Sequence, residues 1–216
     1  MRIKVDQSNN LSVFTAILLF TVATASTAQI TTSQVDNART GAYLAEHTLT
    51  PQNVNQQQFG KLFTLKVDGD IYAQPLFLPG VEIPGKGKHD VVYIATEHDS
   101  VYAFDAYGNP SIPLWHVNFL TDGASTLPER DVQCFFIRPE VGITSTPVID
   151  RKNGTLYVLA RTKKMHLVST SEYHQQLHAL AITNGAEKFG GPVEIHATVP
   201  GKGDGSNGGS VAPAPS

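Results

Sequence analysis

From residue 71 onward the chain reads as short apolar runs broken by clusters of Gly, Pro, Asn and Asp. The runs are 71–78 (IYAQPLFL), 91–96 (VVYIAT), 101–105 (VYAFD) and 114–115 (LW), then 143–150 (ITSTPVID), 155–160 (TLYVLA), 177–181 (LHALA) and 188–189 (KF). They are rich in β-branched and aromatic residues, and none is long enough for an amphipathic helix. That is the signature of strands. An all-β fold of antiparallel hairpins is therefore expected. Asn153-Gly154 and Asn184-Gly185 give the strongest hairpin signals, read as type I′ turns in which both central residues take positive φ.

The eight runs form two copies of one pattern. Each copy has an apolar-x-x-x-Pro start (Pro75, Pro147), a Tyr in an apolar run (Tyr93, Tyr157) and an apolar-x-Ala run (Ala103, Ala179). A turn Gly (Gly108, Gly185) and a terminal aromatic (Trp115, Phe189) complete it. The expected copies span 59–119 and 141–199, with an extra strand at 59–67. Residues 79–90 and 163–174 are insertions, expected as loops. Proline cannot donate to a ladder, so Pro75 and Pro147 belong at a strand start, an edge or a bulge. Four strands per copy is the unit of a β-propeller blade, and two blades leave the ring incomplete.

Arg2 and Lys4 precede a 12-residue uncharged stretch at 11–22, and small residues follow up to Ala28. The order of charge, apolar core and small residues is that of a secretory signal peptide cut near Ala25 or Ala28. The core is shorter than the roughly 20 residues of a membrane span. Residues 1–28 are thus read as a signal, 29–58 as an extended polar lead-in, 59–199 as blades and 200–216 as a flexible Gly/Pro-rich tail. The expected location is secreted or periplasmic, with no stable membrane anchor.

Composition narrows the chemistry. The 216 residues carry a net charge of −3, which excludes a strongly basic nucleic-acid surface. Cys134 is the only cysteine, so no intrachain disulfide can form. Glu97-His98-Asp99-Ser100 holds every residue type of a hydrolytic triad, but neighbours on a strand point to opposite faces, and a polar turn is expected. His174 and His178 have the spacing of helical zinc ligands. On a strand they stand about 13 Å apart, too far to share one ion. Residues 203–208 match G-x-G-x-x-G without the helix that motif needs.

Ala103-Phe104-Asp105, Gly108 and Trp115 resemble the closing half of the pyrroloquinoline-quinone (PQQ)-type repeat of quinoprotein-like β-propellers. The second copy resembles it through Ala179, Thr183, Gly185 and Glu187-Lys188, with Ala181 where the repeat has Asp and Phe189 where it has Trp. Residues 36–41 (DNARTG) are similar to the opening segment of many such propellers, and 92–105 and 142–150 look like secreted bacterial members of the group. The resemblance covers about residues 33–210 and implies that Trp115 docks on the neighbouring blade. It also implies, for a full-length homologue, PQQ held with calcium, often stacked on a disulfide between adjacent cysteines. Cys134 is followed by Phe135, so that pair is absent. Asp131 and Glu140 are the nearest acids and are expected on a solvated loop. No cofactor and no metal are expected for this chain alone. Two functions follow. One is a secreted scaffold that binds a protein or small molecule and self-associates through its open edge. The other is the N-terminal part of a PQQ-dependent oxidoreductase whose site lies in further blades.

Overall fold

The computed structural model describes residues 28–44, 46–133, 135–165, 171–203, 206 and 209–211. Residues 1–27 of the expected signal peptide, Cys134 and most of the tail motif lie outside the described residues. Among the described residues the fold is all β and antiparallel, with one short helix.

The first sheet is a four-stranded meander of β1 (Leu76–Ile83), β2 (Gly87–Ala95), β3 (Ser100–Asp105) and β4 (Trp115–Asn118). Four minor elements follow: β5 (Ala124–Ser125), β6 (Leu127–Pro128), α1 (Glu129–Val132) and β7 (Glu140–Val141), with β6 paired to β7. The second sheet is built on the long hairpin of β9 (Thr155–Met165) and β10 (Ser171–Ala181). On the far side of β9, β8 (Val148–Asp150) pairs with one end and β5 with the other, and β11 (Val193–Glu194) flanks β10. The pair β12 (Val199–Pro200) and β13 (Ser210–Val211) ends the described chain.

Period-two alternation builds the core. Val91, Tyr93 and Ala95 on β2, with Val101, Ala103 and Trp115 beside them, face Leu156, Val158 and Ala160 of β9 and Leu180 and Ile182. The junction is tied at one atom. The Tyr93 hydroxyl and the Trp115 indole N–H both donate to the Ile182 carbonyl, each at 3.0 Å. The two rings pack with centroids 5.8 Å apart. Gly185 lets the indole in: it sits at φ +72°, and a Cβ there would stand 2.7 Å from Trp115 Cε3. A second tie comes from the chain before the sheets. Ile30 exchanges two backbone hydrogen bonds with Phe77 of β1, and the next residue, Thr31, accepts from Ile149 of β8.

Several expectations are corrected. Residues 79–83, 87–90, 163–165 and 171–174 are not loops, because they lengthen the β1–β2 and β9–β10 hairpins. Val81 and Ile83 alternate inward, so the added length buries apolar surface, and a bulge between Leu78 and Val81 absorbs the change of register. Residues 59–67 form no strand. Phe59 and Leu62 are exposed there, and the Phe63 ring instead covers Gly108. The Asn-Gly turns are four-residue loops, 151–154 and 182–185, in which the glycine has positive φ and the asparagine does not. The Asp150 carboxylate holds the first loop by accepting from the Lys152 and Asn153 amides. After β10 the expected strand at 188–189 shrinks to a single bridge, Leu180 to Glu187, because Phe189 turns to φ +59°. The lead-in is rich in turns and not extended, and Ser210–Val211 of the expected tail is paired.

The Ile182 junction yields a prediction. Trp115→Ala should cost about 3–5 kcal/mol, as for other buried aromatics. Gly185→Ala should cost about 1–3 kcal/mol through overpacking. Denaturant melts should show the double variant less destabilised than the sum of the two, because both changes strike one contact.

Candidate functional site

The β2–β3 turn is covered by the chain around Asp68–Asp70 on one side and Gly142–Thr144 on another. Thr96, Glu97, Asp99 and Ser100 are consequently fully buried, an unusual place for two carboxylates. Asp68 receives the Thr96 hydroxyl at 2.8 Å and the Ser100 hydroxyl at 2.6 Å. Glu97 Oε2 accepts the Gly142 amide at 2.8 Å and the Thr144 hydroxyl at 3.0 Å. His98 turns outward, with Nδ1 3.0 Å from each oxygen of Glu140. The four residues thus form the expected turn, and His98 turns to Glu140 while Ser100 turns to Asp68, so the four do not form a relay among themselves. What sequence reasoning missed is the burial.

Glu97 Oε1 and both carboxylate oxygens of Asp99 are buried without a hydrogen-bond partner. Burial pushes the Asp99 carboxyl up to about 8; the Arg161 main-chain amide works against this, and the negative charges of Glu97 and Glu140 add to it. Glu97 is raised as well, mainly by burial, while Gly142 and Thr144 oppose the rise. A Cβ on Gly142 would run into the Glu97 main-chain oxygen and the Asp99 carboxylate, so the close approach requires glycine. Beside them lies a cavity of about 290 Å³ lined by Gly142, Thr144, Leu159 and Arg161.

A larger cavity, about 500 Å³, opens between the end of β4 and the face of β10, and Phe119, Lys164, His174, Gln176 and His178 line it. His174 and His178 share this face, as strand geometry requires, but turn to different acids. His178 Nδ1 lies 3.0 Å from Glu187 Oε2, and His174 Nδ1 lies 3.5 Å from Glu194 Oε2. The His178 ring stacks on Phe119 at 3.7 Å, and burial lowers its pKa in spite of Glu187. Among the described residues, no group of three or more His, Cys, Asp or Glu converges as a metal site.

The repeat positions fall at the sheets and their turns. Pro75 and Pro147 immediately precede β1 and β8. Tyr93 pairs with Ala103 and Tyr157 with Ala179. Asp105 is buried; it binds His89 at 2.8 Å and accepts the Tyr107 amide, closing the turn that holds Gly108. Burial alone would raise the Asp105 pKa, but His89 and the Tyr107 and Asn109 amides outweigh it and hold it low. Trp115 is buried at the junction, whereas Phe189 is 73% exposed under the Lys188 ammonium.

Asp131 and Glu140 do not lie on a solvated loop. Asp131 pairs with Lys163 at 2.5 Å and takes the Tyr173 hydroxyl, and Glu140 is engaged by His98 and by Thr126 at 2.7 Å. With their oxygens committed in this way, these two acids do not fit the calcium ligands of a PQQ site. No family model, no curated protein and no solved structure matches this chain.

A pH prediction follows from Asp99. Its folded-state pKa of about 8 lies above the ordinary 3.8, so between those values the folded chain holds a proton that the unfolded chain has released. Stability is therefore fully present below about pH 4 and falls as pH rises toward 8. Asp99→Asn keeps the shape and suits the residue's φ of +51°. Thermal melts in metal-free buffer should show this variant stabilised at pH 8.5, on the order of 2 kcal/mol, and not at pH 4.

Proposed function

We propose that the chain is a repeat segment of a quinoprotein-like β-propeller, exported from the cytoplasm, that serves as a binding scaffold and not as a catalyst. The carrying observation is one register repeated in both sheets. Leu76, Tyr93, Ala103 and Trp115 lie in a row across the first sheet. Val148, Tyr157 and Ala179 lie in a row across the second. The Leu114 amide donates to Ala103 and the Lys188 amide to Ala179, both at 2.7 Å, which makes Phe189 the counterpart of Trp115.

The first row is buried against the second sheet. The second row is covered at Ala179 but open at its margins, with Val148 40% exposed and Phe189 73% exposed, and Leu177 and Val193 extend the same apolar face. A face built like the buried one but left uncovered at its margins supports a scaffold that takes up another surface. The non-catalytic reading is supported by the separation of the polar groups. Asp68, Asp105, Asp131, Glu140 and Glu187 each bind their own partners instead of converging on a shared point. Export is supported by the charged, apolar and small order of residues 1–28.

In sedimentation experiments the chain should self-associate, and Phe189→Asp should shift it toward monomer. A monodisperse wild-type monomer would count against the open-face reading. In a dye-reduction assay with PQQ, calcium, alcohols and sugars, no turnover is expected. Quinone-dependent reduction would replace the scaffold with the oxidoreductase alternative.

A further inference from the structure

We propose that the Glu97–Asp99 turn binds one hard cation, best fitted by calcium, through Glu97 Oε1, the Asp99 carboxylate and the Glu97 main-chain oxygen. The site is independent of the quinone and propeller readings. Glu97 Oε1 and both Asp99 carboxylate oxygens are buried without a hydrogen bond of normal geometry, although the Arg161 main-chain amide lies close enough to favour the Asp99 anion. Groups in that state require an explanation, and a bound ion is one of the few available. Both residues are fully buried, so bulk water does not compensate them. The Arg161 side chain acts on Glu97 through its charge, and its main-chain amide bears on Asp99 without reaching good hydrogen-bond geometry.

The surroundings are built around the acids. The Gly142 amide and the Thr144 hydroxyl both hold Glu97 Oε2, which fixes the carboxylate and leaves Oε1 over. Gly142 presents only hydrogen toward Asp99 and the Glu97 main-chain oxygen, and any side chain would fill that space. A cavity lined by Gly142 and Thr144, the two residues that hold Glu97 Oε2, lies behind them, though neither acid lines it. Glu140 stays outside the set, engaged by His98 and Thr126. Two carboxylates and a carbonyl make an all-oxygen donor set without sulfur or imidazole, which disfavours zinc and copper. A carboxylate offering both oxygens beside a main-chain oxygen suits the irregular shell of calcium more than the octahedron of magnesium.

The test is calorimetric titration of the full chain with calcium chloride at pH 7.5, without quinone, alongside melts with and without the ion. One calcium per chain and a higher melting temperature are expected, with magnesium weaker. Asp99→Asn and Glu97→Gln should each weaken calcium binding at least tenfold. If either variant fails to fold by circular dichroism, the other decides. The proposal is overturned if wild type binds no calcium at millimolar concentration, or if a folded variant binds it as wild type does.

Discussion

One carbonyl oxygen organises the packing of the two sheets. The Ile182 carbonyl receives the Tyr93 phenol and the Trp115 indole together, and both donors come from the opposite sheet. An apolar interface alone would let two twisted sheets slide over one another. Two buried donors aimed at one acceptor fix the register, because a shift would leave buried polar groups unpaired. The other features of the junction serve this contact. Gly185 clears the space for the indole, and Leu180 and Leu156 pack beside it. The β2–β3 turn lies under the segments around Asp70 and Gly142, which is how Glu97 and Asp99 come to be buried.

The strand pattern was legible because it depends on period two and local turn chemistry. Tyr93, Ala103, Tyr157 and Ala179 take cross-strand partners that follow from alternation and hairpin connection alone. The hairpin extensions were not legible. Proline and glycine at 79–80 look like a loop signal, yet they form a bulge inside a continuing ladder. Turn type also escaped, since an Asn-Gly pair fits a two-residue and a four-residue loop equally well until flanking pairs are known.

The candidate site was the least legible part. Glu97-His98-Asp99-Ser100 has the composition of a solvated turn, and no local pattern says that the segments around Asp70 and Gly142 will cover it. The signal that could have found it is Gly142, which stands just before the second copy's apolar start. A glycine there has meaning only once the turn at 97–99 is known to press against it. Asp131 shows the converse error. Its polar neighbours suggested a loop in water, while Lys163 and Tyr173, more than thirty residues away, claim it.

The stitch at Ile30 and Thr31 bears on the order of events in folding. Ile30 bonds to Phe77 and Thr31 to Ile149, so two adjacent residues tie a strand of each sheet across a long span of chain. More than a hundred residues separate Thr31 from its partner. The two hairpins can form from local contacts, whereas this clasp pays the loop-closure entropy of the span between. The 30–31 segment thus works as a latch between the two sheets, and a nascent chain ending before Ile149 would hold only the Phe77 half of it.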